Sequence, residues 1–225
     1  MQSPTILFDI NETVLNLSIL QPKFKIAFGD ETMMNTWFAM LLHSSTVCMM
    51  TQVKTDFATL AGITLDTLAA RKKITLSPII RQDILEGFAH LPAHSDIKPA
   101  LEKLQAAGFH TVAFSNSSSA LITQQIQNAG LSTSFNHILS VEETGSFKPD
   151  PQVYHFAAEQ LQQPISSLRL VATHDWDTHG ALCAGMQAAY IYRSQALYHP
   201  LYRQPDIDAN NMMDIVEKII EKHSL

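Results

Sequence analysis

Residues 6–15 read ILFDINETVL, in which an apolar run typical of a buried strand delivers a carboxylate, Asp9, into a polar turn. The turn ends at Thr13. An ionised carboxylate is costly to bury unless cations or hydrogen-bond donors contact it. We therefore expect later segments of the chain to bring such partners to Asp9.

Four further apolar runs predict strands, and patterns with helical spacing separate most of them. The strands are HTVAFSN at 110–116, HILS at 137–140, RLVATHD at 169–175 and AAYIYR at 188–193. The helices are AHSDIKPALEKLQAAG at 93–108, SSALITQQIQNAG at 118–130, KPDPQVYHFAAEQLQ at 148–162 and NNMMDIVEKIIEKH at 210–223. Strands that alternate with helices predict an α/β fold, with a Rossmann-like parallel sheet and helices on both faces. In such sheets the functional groups gather at the carboxyl ends of the strands.

The segment from residue 16 to residue 91 breaks this alternation, because its apolar residues recur at helical spacing. The pattern is clearest in TMMNTWFAMLLHSSTVCMM at 32–50, TQVKTDFATLAG at 51–62 and SPIIRQDILEGFAHL at 77–91. We interpret the segment as an all-helical insertion after the first strand. The predicted division is a core of residues 1–15 and 92–225 and an inserted helical domain of residues 16–91.

The composition narrows the class of protein. A net charge of -6 argues against a nucleic-acid partner or an anionic membrane surface, since both require clustered Lys and Arg. Two distant cysteines, Cys48 and Cys183, do not make a disulfide framework, which favours a reducing compartment. Asp9 and Glu12 interrupt any secretory leader, and no apolar run is long enough to span a bilayer. We expect a cytoplasmic protein.

Polar side chains follow the predicted strands at their carboxyl ends. Each one alone is also typical of a turn or a helix cap. Together, a lysine, hydroxyl donors and backbone N–H groups can keep a buried carboxylate ionised. The set consists of Asp9, Asn11 and Thr13, then Ser115 and Asn116, then Lys148, and finally His174, Asp175, Trp176 and Asp177.

Four motifs carry a resemblance to a known family: FDINET at 8–13, FSNSS at 114–118, FKPDPQVY at 147–154 and HDWDTHGALCAGM at 174–186. In this order and spacing they resemble the haloacid dehalogenase superfamily, and more narrowly its type II branch, the L-2-haloacid dehalogenase-like proteins. The resemblance implies that the helical insertion is the cap domain of this family. It also implies a hydrolase that removes halide from short 2-haloacids, a small-molecule substrate class, through an aspartyl ester.

The same resemblance assigns roles to individual residues. Asp9 would be the nucleophile, Thr13 and Ser115 would donate hydrogen bonds that orient it, and Lys148 would balance its charge. Asp177 would hold Lys148 and help to place water. The residues implied to contact the substrate are Ile10, Asn11, Phe38, Asn116, Tyr154, His174 and Trp176.

The alternative within the superfamily is a small-molecule phosphatase, which needs a magnesium ion and an acid two residues after the nucleophile. That position is Asn11, an amide that cannot act as a general acid at neutral pH. The position of a magnesium-binding Asp aligns with Thr173, although Asp175 and Asp177 lie nearby. We therefore expect no cofactor, and magnesium only under the phosphatase alternative.

Two positions depart from the type II pattern. Phe38 stands where the family has a cap arginine that receives the halide, and Arg and Phe are not interchangeable. A cap lysine, Lys23, Lys25 or Lys54, is a candidate replacement. His174 stands where the family has Asn and could position water or act as a base. The Phe38 departure predicts slow dehalogenation that improves in Phe38→Arg. A second alternative is therefore a relative that binds a ligand without turning it over. Analogy with the family also leaves open that the chain forms a homodimer.

Overall fold

A parallel sheet of six strands forms the centre of the computed structural model, which describes residues 4–223. Its order is β3-β2-β1-β4-β5-β6, and each neighbouring pair is parallel. The strands are β1 (Thr5–Phe8), β2 (His110–Ser115), β3 (His137–Ser140), β4 (Leu168–Ala172), β5 (Gln187–Ile191) and β6 (Ile207–Ala209).

Helices connect the strands, and the first four of them form the predicted insertion. After β1 come α1 (Gln21–Phe28), α2 (Met33–Thr51), α3 (Phe57–Arg71), α4 (Pro78–Ala89) and α5 (Ile97–Ala106). The later helices are α6 (Ser119–Asn128), α7 (Pro151–Leu161), α8 (Asp175–Ala184) and α9 (Met212–His223). The α/β fold class with an inserted helical cap is confirmed, while the exact domain limits stay a prediction.

Strand β1 lies at the middle of the sheet, where the direction of strand order changes. Phe8 pairs with Ala113 of β2 on one side and with Val171 of β4 on the other. The N–H of Asp9 continues the ladder by donating to the Val171 carbonyl at 3.0 Å. Ligand sites of open α/β sheets form at such a change of strand order, so the fold places Asp9 at the expected location.

Side-chain caps set the starts of several helices. Asp56, Ser77, Ser118 and Asp150 each accept a hydrogen bond from a backbone N–H in the first turn of the helix that follows. This interaction satisfies a donor that has no partner within the helix. These caps are local signals, which explains why the boundaries of such helices can be predicted from sequence.

Aromatic contacts join the cap to the core. The ring of Phe57 in α3 lies 6.3 Å from that of Phe147, and the ring of Phe38 in α2 lies 6.2 Å from that of His174. Within the cap, the indole N–H of Trp37 donates to the Ala61 carbonyl at 3.0 Å and holds α2 against α3. The side of α2 that carries Phe38 therefore faces the carboxyl end of the sheet.

Two elements lie outside the predicted set. Strand β6 has three residues, too few to show the alternation of apolar and polar residues that predicts a strand. Helix α8 begins with acidic residues, which indicate a polar turn in the sequence but are also favourable at a helix N-terminus. None of the helices within residues 4–223 combines the length and the apolarity needed to cross a membrane.

Candidate active site

Asp9 lies at the carboxyl end of β1, is 6% exposed, and has donors on both carboxylate oxygens. Oδ1 accepts from Lys148 Nζ at 3.2 Å. Oδ2 accepts from the Thr13 hydroxyl at 2.8 Å and contacts His174 Nδ1 at 3.1 Å. The partners expected from the opening stretch are therefore present, and they come from three separate segments of the chain.

Lys148 is 1% exposed, and its ammonium contacts three acceptors. Nζ donates to Asp177 Oδ2 at 2.9 Å and to the Phe114 carbonyl at 2.9 Å, in addition to Asp9. These three contacts use all three donors of the ammonium. The Lys148 backbone N–H also donates to Asn116 Oδ1 at 2.9 Å. The cation is thus fixed at both its backbone and its side chain.

Asp177 lies behind Lys148 and is fully buried. Its Oδ1 accepts from the Tyr154 hydroxyl at 2.7 Å. Burial, and the nearby charge of Asp9, raise the pKa of the Asp177 carboxyl above its ordinary value despite the Lys148 contact. Burial lowers the pKa of Lys148, but the charges of Asp177 and Asp9 outweigh that effect and raise it overall. The lysine therefore stays charged between two carboxylates.

His174 joins Asp9 to a second carboxylate. Its Nε2 lies 2.8 Å from Glu12 Oε2, and its ring stacks on Trp176 with a centroid distance of 5.2 Å. Burial lowers the pKa of His174, but the hydrogen bonds to Asp9 and Glu12 outweigh it and raise the pKa to about 10. At neutral pH the ring is therefore an imidazolium that donates from both nitrogens.

The pKa of Asp9 reflects the same contacts. Burial alone raises it, but the Lys148 ammonium and the His174 imidazolium more than offset burial and hold the pKa well below the usual range. The carboxylate is thus ionised throughout the physiological pH range. An ionised carboxylate is the form that can act as a nucleophile.

Hydrogen bonds from distant segments hold the turn after Asp9. Arg193 donates from Nε and Nη2 to the Thr13 carbonyl, at 3.1 and 3.0 Å, and pairs with Asp96. His94 Nε2 lies 3.0 Å from the Glu12 carbonyl. Glu12 has a φ of 64°, a left-handed conformation that side chains other than glycine seldom adopt. The turn is therefore rigidly specified even though its backbone is unfavourable.

A cavity of about 410 Å³ opens beside this turn. His174 lies on its wall and also contacts Asp9, so the ring stands between the cavity and the carboxylate. The cavity is lined by polar groups and by aromatic and aliphatic side chains, among them Glu12, Met34, His94, His174, Trp176, Tyr190 and Arg193. It provides room for a small organic molecule next to His174, on the side of the ring away from Asp9.

A model of the haloacid dehalogenase-like hydrolase family matches residues 4–168. The chain belongs to this family. The match covers the whole insertion, three of the four motifs and strands β1, β2 and β3.

Curated relatives of this haloacid dehalogenase-like hydrolase are dehalogenases. The (S)-2-haloacid dehalogenase H-109 of Pseudomonas putida is 28% identical over 60% of this chain and 61% of its own length. The (S)-2-haloacid dehalogenase 1 of Pseudomonas sp. strain CBS-3 is 27% identical over 83% of each chain. With the first of these relatives, the alignment spans about three fifths of the relative's length.

Solved structures show the same fold. The L-2-haloacid dehalogenase of Xanthobacter autotrophicus superimposes with a TM-score of 0.88 and 20% identity, covering 97% of this chain and 98% of that one. The same enzyme with chloropropionic acid covalently bound superimposes with a TM-score of 0.88 and 19% identity, over 97% and 98% of the two chains. The helical cap is therefore part of the shared fold.

Three predicted site residues of this family member make none of the described hydrogen bonds to Asp9. Ser115 Oγ accepts from the Ser117 N–H at 3.1 Å. Asn11 is buried, and its amide oxygen accepts from Gln125 at 3.2 Å. The Ile10 side chain is fully buried. These three residues support the turns around Asp9, and direct roles for them stay predictions.

Phe38 and the cap lysines also differ from the expectation. Phe38 is 3% exposed and packs among Trp37, Phe88 and His174. Lys23 pairs with Asp83 at 2.5 Å, Lys54 donates to the Gly145 carbonyl at 3.1 Å, and Lys25 is exposed. Phe38 instead lies beside the His174 ring.

Tyr154 and Trp176 take different positions relative to the cavity. Tyr154 is fully buried behind Asp177, and burial raises the pKa of its hydroxyl well above the usual value. The Tyr154 hydroxyl therefore remains a proton donor to Asp177. Trp176 lies on the cavity wall and stacks on His174. Substrate contact remains a prediction for both, and only Trp176 reaches the cavity wall.

The carboxylates near Asp9 do not fit a magnesium site. Lys148 and Tyr154 occupy the two oxygens of Asp177. The oxygens of Asp175 accept backbone N–H groups of Trp176 and His199, at 2.8 and 3.2 Å. Magnesium needs several free oxygen ligands in octahedral geometry, and the Lys148 ammonium already pairs with both Asp9 and Asp177.

Two residues of this site, Glu12 and Arg193, have roles that their place in the sequence does not predict. Glu12 lies inside the first motif, and the only signal was its charge next to a nucleophile candidate. Arg193 directly follows the β5 run, so a charged residue at a strand end was the available signal. Both residues act through contacts that only the folded chain creates.

Proposed function

We propose that this chain hydrolyses the carbon–halogen bond of a small 2-haloacid through an ester on Asp9. One observation carries the proposal: the Asp9 carboxylate is buried, ionised, and held on both oxygens by Lys148, Thr13 and His174. Such a group is a positioned nucleophile. The names of the relatives and the covalently bound chloropropionic acid in the Xanthobacter enzyme support the same chemistry.

In the first step, a carboxylate oxygen of Asp9 attacks the carbon that bears the halogen. The new carbon–oxygen bond forms as the carbon–halogen bond breaks, and the halide leaves with the electron pair. Negative charge thus moves from Asp9 toward the leaving group. A fixed cation close to the reacting atoms stabilises this transition state, because no reorganisation is required when charge moves.

In the second step, water attacks the carboxyl carbon of the Asp9 ester. The bond between that carbon and the alkoxy oxygen breaks, which frees Asp9 and a 2-hydroxy acid. Thr13 and Lys148 donate to different carboxyl oxygens of Asp9, so the oxygen that remains the ester carbonyl keeps a donor that stabilises the developing oxyanion. The alkoxy oxygen of the product comes from Asp9 in each turnover.

His174 supplies positive charge that Phe38 does not. The two positions that depart from the type II pattern contact each other, with ring centroids 6.2 Å apart. An imidazolium with a pKa of about 10 is charged at neutral pH, as an arginine is. We therefore interpret the Phe38 and His174 departures as one compensated change.

A paired assay of halide and phosphate release tests the proposed function. We expect bromide release from 2-bromopropionate that a chelator leaves unchanged, and no phosphate release from small phosphate esters, because Asn11 supplies no acid. Magnesium-dependent release of phosphate, without release of halide, would instead establish the phosphatase alternative. A site that binds 2-haloacids without releasing either product would establish a binding protein.

The Phe38–His174 contact revises the expected effect of Phe38→Arg. A guanidinium at this buried position meets the His174 imidazolium, so we expect Phe38→Arg alone to lose stability and halide release. Adding His174→Asn removes the second cation and should recover both stability and the halide released in the first turnover, with a coupling energy of at least about 1 kcal/mol in a double-mutant cycle. Urea unfolding and single-turnover halide release measure the two quantities.

An exposed cap position provides the control for this cycle. Ile63 in α3 is 53% exposed, so Ile63→Arg combined with His174→Asn should show additive effects. Additive effects in the Phe38 cycle as well would show that the two departures do not compensate each other.

A further inference from the structure

His174 contacts Glu12, and the first chemical step does not require this contact. Its Nδ1 lies beside the Asp9 carboxyl group at 3.1 Å, while its Nε2 is bound by Glu12 at 2.8 Å. Trp176 stacks on the ring of His174, whose side chain is 11% exposed, so the orientation of the His174 ring is fixed. A carboxylate that holds one imidazole nitrogen leaves the other directed at its target, which is the arrangement of an oriented base.

We propose that His174, oriented by Glu12, is the general base that activates water for hydrolysis of the Asp9 ester. This inference rests on the proposed function, and it assigns Glu12 a positioning role. In the resting protein the ring cannot act as a base, because it carries a proton on each nitrogen. The ester itself changes that state.

Ester formation removes the charge that holds the Nδ1 proton. The resting imidazolium is stabilised by two carboxylates, Asp9 and Glu12. Once Asp9 is an ester it is neutral, so Nδ1 loses its anionic partner while Nε2 keeps its hydrogen bond to Glu12. The Nδ1 proton can then leave to solvent. The result is a neutral imidazole with its lone pair next to the ester.

The other charged groups around the ring keep their partners during this change. Lys148 lies on the far side of Asp9 and remains paired with Asp177. Arg193 contacts the carbonyl of Thr13 and is paired with Asp96. From the cap, the uncharged ring of Phe38 covers His174. The charge of Asp9 is therefore the one that changes between the two steps.

Atoms and protons balance over the second step. Nδ1 takes one proton from water as the water oxygen bonds to the Asp9 carboxyl carbon. The bond from that carbon to the alkoxy oxygen then breaks, and the alkoxide takes the proton from His174. The acid formed on Asp9 transfers its proton to Nδ1, which restores the resting pair. One turnover thus consumes water and a haloacid and yields a hydroxy acid, halide and one proton.

Rapid-quench kinetics with 2-bromopropionate and intact-mass detection of the ester separate the two steps. We expect Glu12→Gln to form the ester at least as fast as wild type and to hydrolyse it at least about tenfold more slowly. His174→Gln should hydrolyse any ester it forms about a hundredfold or more slowly, the range of general-base catalysis. His155→Gln, on the exposed face of α7, serves as the matched control and should behave as wild type.

The outcomes are distinct. A stoichiometric burst of bromide with ester accumulation in either variant supports the proposal. Ester hydrolysis at the wild-type rate in Glu12→Gln would overturn the positioning role of Glu12. The same result in His174→Gln would overturn the role of His174 as the general base. If His174→Gln forms no ester, the Glu12→Gln hydrolysis rate decides alone. Absence of bromide release from wild type would instead contradict the proposed function itself.

Discussion

In the Asp9→Asn variant we expect halide release to fall by at least about ten-thousandfold, as when a residue that forms the covalent intermediate is removed. The amide has nearly the same size, and its single oxygen can still accept from Lys148 while its NH2 group donates to the Thr13 hydroxyl, so the fold should persist. Its nitrogen and oxygen are far poorer nucleophiles than a carboxylate. Initial rates with 2-bromopropionate, and circular dichroism of the variant, measure the two expectations.

Oxygen-18 water identifies the attacked atom in the wild-type protein. When enzyme exceeds substrate, the peptide that contains Asp9 should gain the label and the hydroxy acid should not. Direct attack of water on the substrate carbon would place the label in the product alone and would contradict the ester route. Asp208→Asn, an exposed carboxylate on β6, is the control for removal of an Asp and should keep wild-type rates.

The Lys148→Met variant should lose both activity and stability. Methionine fills a similar volume, so the effect comes from the missing ammonium rather than from a cavity. Two buried carboxylates, Asp9 and Asp177, then lose the cation that pairs with both of them. Removal of one partner from a buried ion pair costs roughly 3–5 kcal/mol, and without the cation the pKa of Asp9 should rise. We expect halide release to fall at least about a hundredfold.

Urea unfolding of Lys148→Met and of the double variant Lys148→Met with Asp177→Asn separates these effects. The double variant removes one stranded charge, so we expect it to recover part of the stability but none of the activity. Lys103→Met breaks an exposed pair with Glu217 and should change the free energy of unfolding by about 1 kcal/mol or less. A stable and active Lys148→Met variant would show that His174 alone balances Asp9.

The sequence by itself determined the architecture of this protein and the segments that meet at its candidate active site. An apolar run, or an alternation of apolar and polar residues, predicts a strand without reference to the rest of the fold. Asp56 and Ser77 cap helices through hydrogen bonds to residues close to them in sequence. Because parallel strands end at one edge of the sheet, chain order sufficed to predict that Asp9, Lys148 and Asp177 lie together. Those inferences depend on local backbone preferences and on topology.

Only the tertiary structure decided which atoms meet and which groups carry charge. Ser115 and Asn11 follow strands as predicted, yet their side chains bond to Ser117 and Gln125 and not to Asp9. His174 is charged because Asp9 and Glu12, more than 160 positions away, enclose its ring. Side-chain rotamers and pKa values depend on the groups packed around them in space. Local sequence therefore identified the residues of this site but not their protonation states or their partners.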